Sequence, residues 1–180
     1  ISTYPKQCTC QRRTLMFCKN KTNLTKIPEI GPEVTGLYII HYNLTLNTND
    51  MKHFTKLQRL KLKSNNIKEL PPGLFLNLKQ LQTLDLCYNQ LSVLPPLIFE
   101  GLVELQWLFL ASNRLISLPL KEMSSSLPRL EWLLLSNNIL TLNDSKFPRM
   151  PVLYELYLDY NRIAYIGEET FAELDNLHLL

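Results

Sequence analysis

The stretch LQTLDLCYNQL at residues 81–91 decides the fold, because its pattern of leucines and one asparagine returns along the chain. Further copies occupy residues 57–67, 105–115, 130–140 and 153–163, and a partial copy begins at Leu177. The second leucine of successive copies recurs every 23 to 25 residues, at positions 60, 84, 108, 133, 156 and 180. Such a fixed period is the signature of a stacked repeat, in which each unit buries its apolar edge against its neighbours.

Each position of the pattern has a physical reason. The L-x-L segment predicts a short strand whose leucines face the interior with a period of two residues. The asparagine can satisfy backbone groups of the neighbouring unit, so we expect a ladder of side-chain hydrogen bonds along the stack. Leu-Pro pairs at 70–71, 94–95 and 118–119 then end the strand and turn the chain outward. A second apolar anchor follows on the convex side, at Phe75, Phe99, Met123, Phe147 and Phe171.

The repeat is identified as the leucine-rich repeat, which predicts an α/β fold. We expect a curved, horseshoe-shaped solenoid with a parallel β-sheet on the concave face and loops or short helical turns on the convex face. The pattern divides the chain into an N-terminal cap at residues 1–33 and repeats at 34–180. The first repeat, Val34 to Leu46, has one residue too many between its leucine and Asn43, which predicts a β-bulge. Leu180 falls in mid-strand, so we expect the native protein to continue toward a membrane anchor.

Cysteine usage predicts a disulfide-pinned cap. Cys8, Cys10 and Cys18 cluster near the start, with no histidine close by, and three sulfurs alone do not close a tetrahedral zinc site. Disulfide bonds are therefore predicted for this cluster, and the odd number suggests that one cysteine pairs with a residue upstream of Ile1. Cys87 is interpreted as a small, partly buried residue, with an intermolecular disulfide as the alternative.

Four N-x-S/T glycosylation signals accompany the cysteine cluster. They predict glycans at Asn20, Asn23, Asn43 and Asn143. Together, the signals and the cysteines favour an oxidising, extracellular setting, either at the cell surface or after secretion.

Composition and charge exclude several classes of protein. With 46% apolar, 9% aromatic and 19% charged residues, the chain is ordinary globular material, and no apolar run reaches the roughly 20 residues of a membrane-spanning helix. The net charge of +3 hides an asymmetry: residues 1–80 hold 13 basic and 4 acidic residues, and residues 81–180 hold 6 and 12. The acidic half argues against nucleic-acid binding. The chain contains no catalytic or phosphate-binding motif, so we predict no enzyme activity, metal or cofactor.

The concave face is the predicted binding site, because residues beside the strand leucines point away from the core. The face is expected to run from basic (Lys61, Lys63), through aromatic, to acidic. The aromatic residues also have a structural interpretation, since the tryptophans could pack along their own sheet, and solvation alone could explain the charges. The predicted ligand-binding residues are Asp85, Trp107, Phe109, Trp132, Leu134, Glu155, Tyr157 and Asp159.

Two segments resemble the ectodomain of relaxin-family peptide receptors, which are leucine-rich-repeat G-protein-coupled receptors. The first is the cap, from Gln7-Cys8-Thr9-Cys10-Gln11 through Cys18 to Ile27-Pro28; the second is the long repeat at 118–133, with its P-R-L-x-W sequence. The resemblance implies a receptor for insulin-like two-chain peptides, whose arginines meet concave carboxylates such as Asp85, Glu155 and Asp159. It also implies an apolar platform at Trp107, Phe109 and Trp132, and a seven-helix signalling domain farther along the native protein.

Two functions follow from the sequence. The first is a receptor ectodomain that binds a protein or peptide ligand and signals through a G-protein-coupled membrane domain. The second is a secreted matrix or adhesion glycoprotein, or a Toll-like immune receptor, that shares only the scaffold.

Overall fold

A single eight-stranded sheet runs the length of the molecule in a computed structural model that describes residues 5–6, 8–19, 23–143 and 145–178. The strands follow one another in sequence order; the first two pair antiparallel and all later pairs are parallel. They are β1 (Cys8–Gln11), β2 (Leu15–Cys18), β3 (Gly36–Ile39), β4 (Arg59–Lys61), β5 (Thr83–Asp85), β6 (Trp107–Phe109), β7 (Trp132–Leu134) and β8 (Glu155–Tyr157). The predicted solenoid with a parallel sheet is confirmed.

The repeats stack in register, so that equivalent residues of successive coils lie side by side. Leu60 is paired with Leu84, Leu84 with Leu108, and Leu108 with Leu133. These leucines have no exposed surface, and the convex anchors Phe75 and Phe147 are buried just as completely. The core is therefore one continuous column between the sheet and the convex side, and no coil could bury it alone.

Only the longest repeat forms a helix in the described part of the chain. Its helix α1 (Leu120–Ser126) begins after Pro119, which is the N-cap residue, and buries Met123 against the core. In the other repeats the convex segment consists of turns and irregular loop. This agrees with the expectation of loops or short helical turns on that side.

Buried asparagines form the predicted ladder. In the coil of β5, the Asn89 side-chain oxygen accepts hydrogen bonds from the backbone N–H groups of Asn65 and Ile67, each at 3.0 Å. Its Nδ2 donates to the carbonyl of Leu62 in the preceding coil and to that of Leu86 in its own, also at 3.0 Å. Equivalent bonds are made by Asn113, Asn138 and Asn161. Each asparagine thus closes the coil that precedes it.

The predicted bulge in the first repeat is wrong. Leu37 pairs directly with Leu60, and five residues later Tyr42, not Asn43, occupies the ladder position that Asn65 holds in the next coil. The Tyr42 backbone N–H donates to Asn65 Oδ1 at 2.9 Å. The coil is regular, with a tyrosine substituted for its asparagine, and Asn43 is left exposed.

That substitution leaves one polar group without compensation. The Tyr42 hydroxyl is buried and has no hydrogen-bond partner in the described structure. Burial raises the pKa of Tyr42 above its ordinary value of 10.0. An uncompensated buried hydroxyl opposes folding.

The cap is a hairpin that extends the main sheet. A disulfide joins Cys8 to Cys18, which are directly paired across β1 and β2. Cys10 is half-buried and free, so its disulfide with an upstream residue stays a prediction. The hairpin covers the edge of β3 and thus protects the first repeat from open-ended pairing. The division into a cap at 1–33 and repeats at 34–180 also stays a prediction.

Candidate functional site

Two columns of side chains cover the concave face. In each short strand the central leucine is buried, and the residues on either side of it point toward the open face. The column before the leucine reads Arg59, Thr83, Trp107, Trp132 and Glu155; the column after it reads Lys61, Asp85, Phe109, Leu134 and Tyr157. All eight predicted ligand-binding residues lie on this face or, for Asp159, just beyond the end of its strand.

An apolar patch occupies the middle of the face. We define it as Trp107, Phe109, Trp132, Leu134 and Tyr157, on three adjacent strands. Trp107 pairs with Trp132, and Phe109 with Leu134, so the members lie next to one another. The Tyr157 ring meets Trp132 edge to face, with centroids 6.5 Å apart. Trp132 remains 37% exposed and the other four are half-buried, so the patch combines packing along the sheet with a surface open to solvent.

Two carboxylates border the patch on the side of β8. The Tyr157 hydroxyl donates to Glu155, and the Ser136 hydroxyl donates to Asp159. The hydrogen bond to Glu155 is the main cause of a raised pKa at Tyr157; burial and the charges of Glu155 and Asp159 also contribute. Tyr157 therefore stays a neutral donor at physiological pH. Each carboxylate retains acceptor capacity for a cationic partner.

Asp85 plays a more local part than the sequence predicts. One of its carboxylate oxygens accepts a hydrogen bond of 2.9 Å from the backbone N–H of Cys87. Burial raises the pKa of the Cys87 thiol to about 12, and the charge and hydrogen bond of Asp85 add to the effect. Cys87 is buried, as the structural interpretation of that residue expects, and its thiol stays protonated.

Basic side chains lie on the opposite side of the patch. We define the basic triad as Arg59, Lys61 and Lys63, which occupy alternate positions on β4 and the turn after it. The Lys61 ammonium lies 4.9 Å from the centre of the Tyr38 ring, and the Lys63 ammonium lies 5.0 Å from that of Tyr88. Sequence reasoning identified the two lysines but missed Arg59, although the position before the second leucine is the one that also holds both tryptophans.

A backbone feature fixes the rim of the face. The fourth residue after the strand leucine has a positive φ in every coil, and those of Tyr88 and Tyr160 are both 55°. Non-glycine residues rarely adopt this conformation. At these two positions it presents a large aromatic ring that is 57% and 82% exposed, respectively. The other members of the series are His41, Ser64, Ser112 and Asn137.

The concave face is broad and open. A groove lies elsewhere, on the flank formed by the loops after the ladder, and none of the predicted ligand-binding residues lines it. The described residues include no group of three or more His, Cys, Asp or Glu side chains placed to hold a metal ion. No helix among them is both long and apolar enough to cross a bilayer. An exposed face of this kind suits a macromolecular partner better than a small ligand, which requires a concave pocket.

The predicted glycosylation sites are accessible where the structure describes them. Asn23, Asn43 and Asn143 are all exposed, and none belongs to the concave columns. Asn20 lies outside the described residues. Occupancy of the four sites stays a prediction.

Comparisons with known proteins agree with the fold and its setting. A profile of the leucine rich repeat family matches residues 55–115 and 128–180. The chain is similar to the crystal structure of human 5T4 (Wnt-activated inhibitory factor 1, trophoblast glycoprotein), with a TM-score of 0.70 and 25% sequence identity. That alignment covers 99% of this chain and 80% of the other. No curated protein gives a significant sequence match. These findings support an extracellular type of repeat protein that binds other proteins.

Proposed function

We propose that this chain, which belongs to the leucine-rich repeat family, is the ligand-binding ectodomain of a cell-surface receptor for a protein or peptide hormone. The single observation that carries the proposal is the apolar patch. Its five side chains form a contiguous, partly exposed surface on the open face of the sheet, although the core is already filled by the leucines behind them. Clustered aromatic residues of this kind supply most of the energy of protein interfaces.

The charged borders of the patch support a defined ligand chemistry. Glu155 and Asp159 have free acceptor capacity beside Tyr157, so a cationic group of the ligand would bind there. Arginine suits such a site because its planar fork matches a carboxylate. The resemblance to relaxin-family receptors points to insulin-like peptides and to signalling through a G-protein-coupled membrane domain. This chain departs from that family by separating its two acids by four residues, where the family has paired acids two apart in one strand.

The alternative function is adhesion or matrix binding, or recognition by a Toll-like immune receptor. The structural similarity to a protein described as a trophoblast glycoprotein supports this alternative. Both functions use the same scaffold, so the ligand and the signalling domain distinguish them.

Binding of labelled two-chain insulin-like peptides to the secreted, glycosylated chain tests the proposal. We expect W132A to weaken binding by about 30-fold, the scale of a hot-spot residue, and D159A to weaken it by about tenfold. V93A is the matched control, because Val93 is 69% exposed and lines the flank groove instead of belonging to either concave column. Normal circular dichroism must accompany each loss. If both variants retain full affinity, the concave face is not the binding site.

Sequencing the full-length transcript separates the two functions. Seven apolar segments after the repeats would support the hormone receptor. A single span with a cytoplasmic signalling domain would indicate a Toll-like receptor, and a terminal cap followed by a stop codon would indicate a secreted protein.

A further inference from the structure

We infer that the basic triad is a second subsite, which binds an acidic segment of the same protein ligand; the inference rests on the proposed function of the concave face. The triad lies in a part of the chain whose basic residues form no ion pairs. All four ion pairs in the described structure join residues beyond position 100: Arg129–Glu104, Lys146–Glu169, Lys146–Glu173 and Arg149–Asp175. The twelve described Lys and Arg residues between positions 6 and 79 form none.

Aromatic rings position the triad's ammonium groups. Lys61 turns toward Tyr38 on the preceding strand, and Lys63 turns toward Tyr88 in the following coil. The Tyr38 ring is in turn packed edge to face on Phe17, with centroids 4.8 Å apart. A cation over a ring keeps its full charge and most of its donors, so it remains able to bind an anion.

Asp85 is the carboxylate best placed to neutralise the triad, and it does not do so. It lies directly opposite Lys61 in the sheet, yet the two form no ion pair in the described structure. One of its two oxygens accepts a hydrogen bond from the backbone N–H of Cys87 instead. The neighbours on β3 are Gly36 and Tyr38, which carry no charge. In the described structure no member of the triad forms an ion pair, so its three cations remain open to a partner.

The surroundings favour an acidic peptide over a sulfated polysaccharide. On the concave face the stripe of cations is one strand wide, since β3 and β5 contribute no Lys or Arg to it. A polysaccharide needs a longer continuous run of cations, whereas two or three carboxylates of a peptide match a short cluster. The apolar patch begins on β6, two strands from the triad, which places it about 10 Å away.

The geometry thus specifies the order of groups on the ligand. Carboxylates bind over β4, a large apolar side chain binds over β6 and β7 about 10 Å away, and a cation binds at β8. A ligand with this order can lie on the face in one direction only, because the reverse direction places like charges together.

Titration of the secreted chain with a hexaglutamate peptide, followed by amide NMR at low salt, tests the subsite. We expect shifts confined to β4 and its neighbours, and about tenfold weaker binding to the K61Q/K63Q variant, the loss that corresponds to two exposed charge contacts. The K68Q/K79Q variant is the matched control: it removes the same charge from two exposed lysines outside the face and should bind as the parent does. W132A should also bind hexaglutamate as the parent does, because Trp132 lies outside the triad. Hexaglutamate binding therefore tests the triad separately from hormone binding, which tests the apolar patch.

Two outcomes would overturn the inference. Equal losses in the K61Q/K63Q and K68Q/K79Q variants would mean that only net charge matters. Binding of a heparin hexasaccharide that depends on the triad, in the absence of hexaglutamate binding, would identify a sulfated polysaccharide as the occupant.

Discussion

Replacement of Asn89 by alanine should disconnect two neighbouring coils. Its side chain satisfies the N–H groups of Asn65 and Ile67 and the carbonyl groups of Leu62 and Leu86, all at 3.0 Å. Alanine leaves both amides buried without a partner, at about 1–3 kcal/mol each. We therefore expect N89A to lower the free energy of unfolding by about 2–6 kcal/mol. The loss is near the lower value if water enters and hydrogen-bonds the two amides.

Urea unfolding, combined with native-state hydrogen exchange, measures this effect. The amides of Asn65 and Ile67 should lose protection first, because stability in a solenoid depends on contacts between neighbouring coils. N77A is the matched control, since Asn77 makes a single exposed hydrogen bond to the Lys52 carbonyl; its effect should not exceed about 1 kcal/mol. A loss below 1 kcal/mol in N89A, or unchanged exchange at both amides, would refute the role assigned to the ladder.

Three further predictions concern single sites. Y42F should raise the free energy of unfolding by up to about 1 kcal/mol in urea titrations, because it removes a buried hydroxyl that has no hydrogen-bond partner among the described residues; a clear loss of stability would show that the hydroxyl is compensated. Alkylation of Cys87 at pH 8, followed by mass spectrometry, should be about a thousandfold slower in the folded chain than in urea, because burial raises its pKa from 9.0 to about 12; similar rates would contradict that shift. G101A should destabilise the chain by about 2–4 kcal/mol in thermal unfolding, because its Cβ would meet the Leu76 carbonyl and its φ is +93°. G73A has a similar φ of +77°, but its Cβ would only make an ordinary contact with Thr48 at 3.8 Å, so it should lose only about 1 kcal/mol; equal losses would exclude the clash.

The repeat frame could be predicted from sequence because one spacing rule governs every coil. The leucines at 60, 84, 108, 133 and 156 recur in constant register, and the structure pairs them along the sheet. The rule failed only in the first repeat, where the asparagine was used to set the frame. Counting from Leu37 instead puts Tyr42 at the ladder position. The other repeats have asparagine at this position, so nothing in the sequence indicated that a tyrosine would be buried there.

The site could be predicted less completely than the fold. Alternation along each strand placed Trp107, Trp132 and Phe109 on the open face. The contacts of each charged side chain depend on its conformation, which the spacing of the repeat does not predict. Lys61 sits opposite a carboxylate but turns to an aromatic ring, and Asp85 binds a backbone amide. The ligand-binding roles of these residues stay predictions that the variants above address.

The ladder also gives the molecule a direction of assembly. Each asparagine closes the coil before it. The backbone N–H of Ile67 therefore has its hydrogen-bond acceptor only once Asn89 is in place, and that of Leu91 only once Asn113 is in place. On the ribosome, a coil can complete its hydrogen bonds only after 22 further residues have been made, which takes about 1–4 s at the usual rate of synthesis. During synthesis, the most recently made coil therefore lacks its ladder hydrogen bonds until the next coil follows.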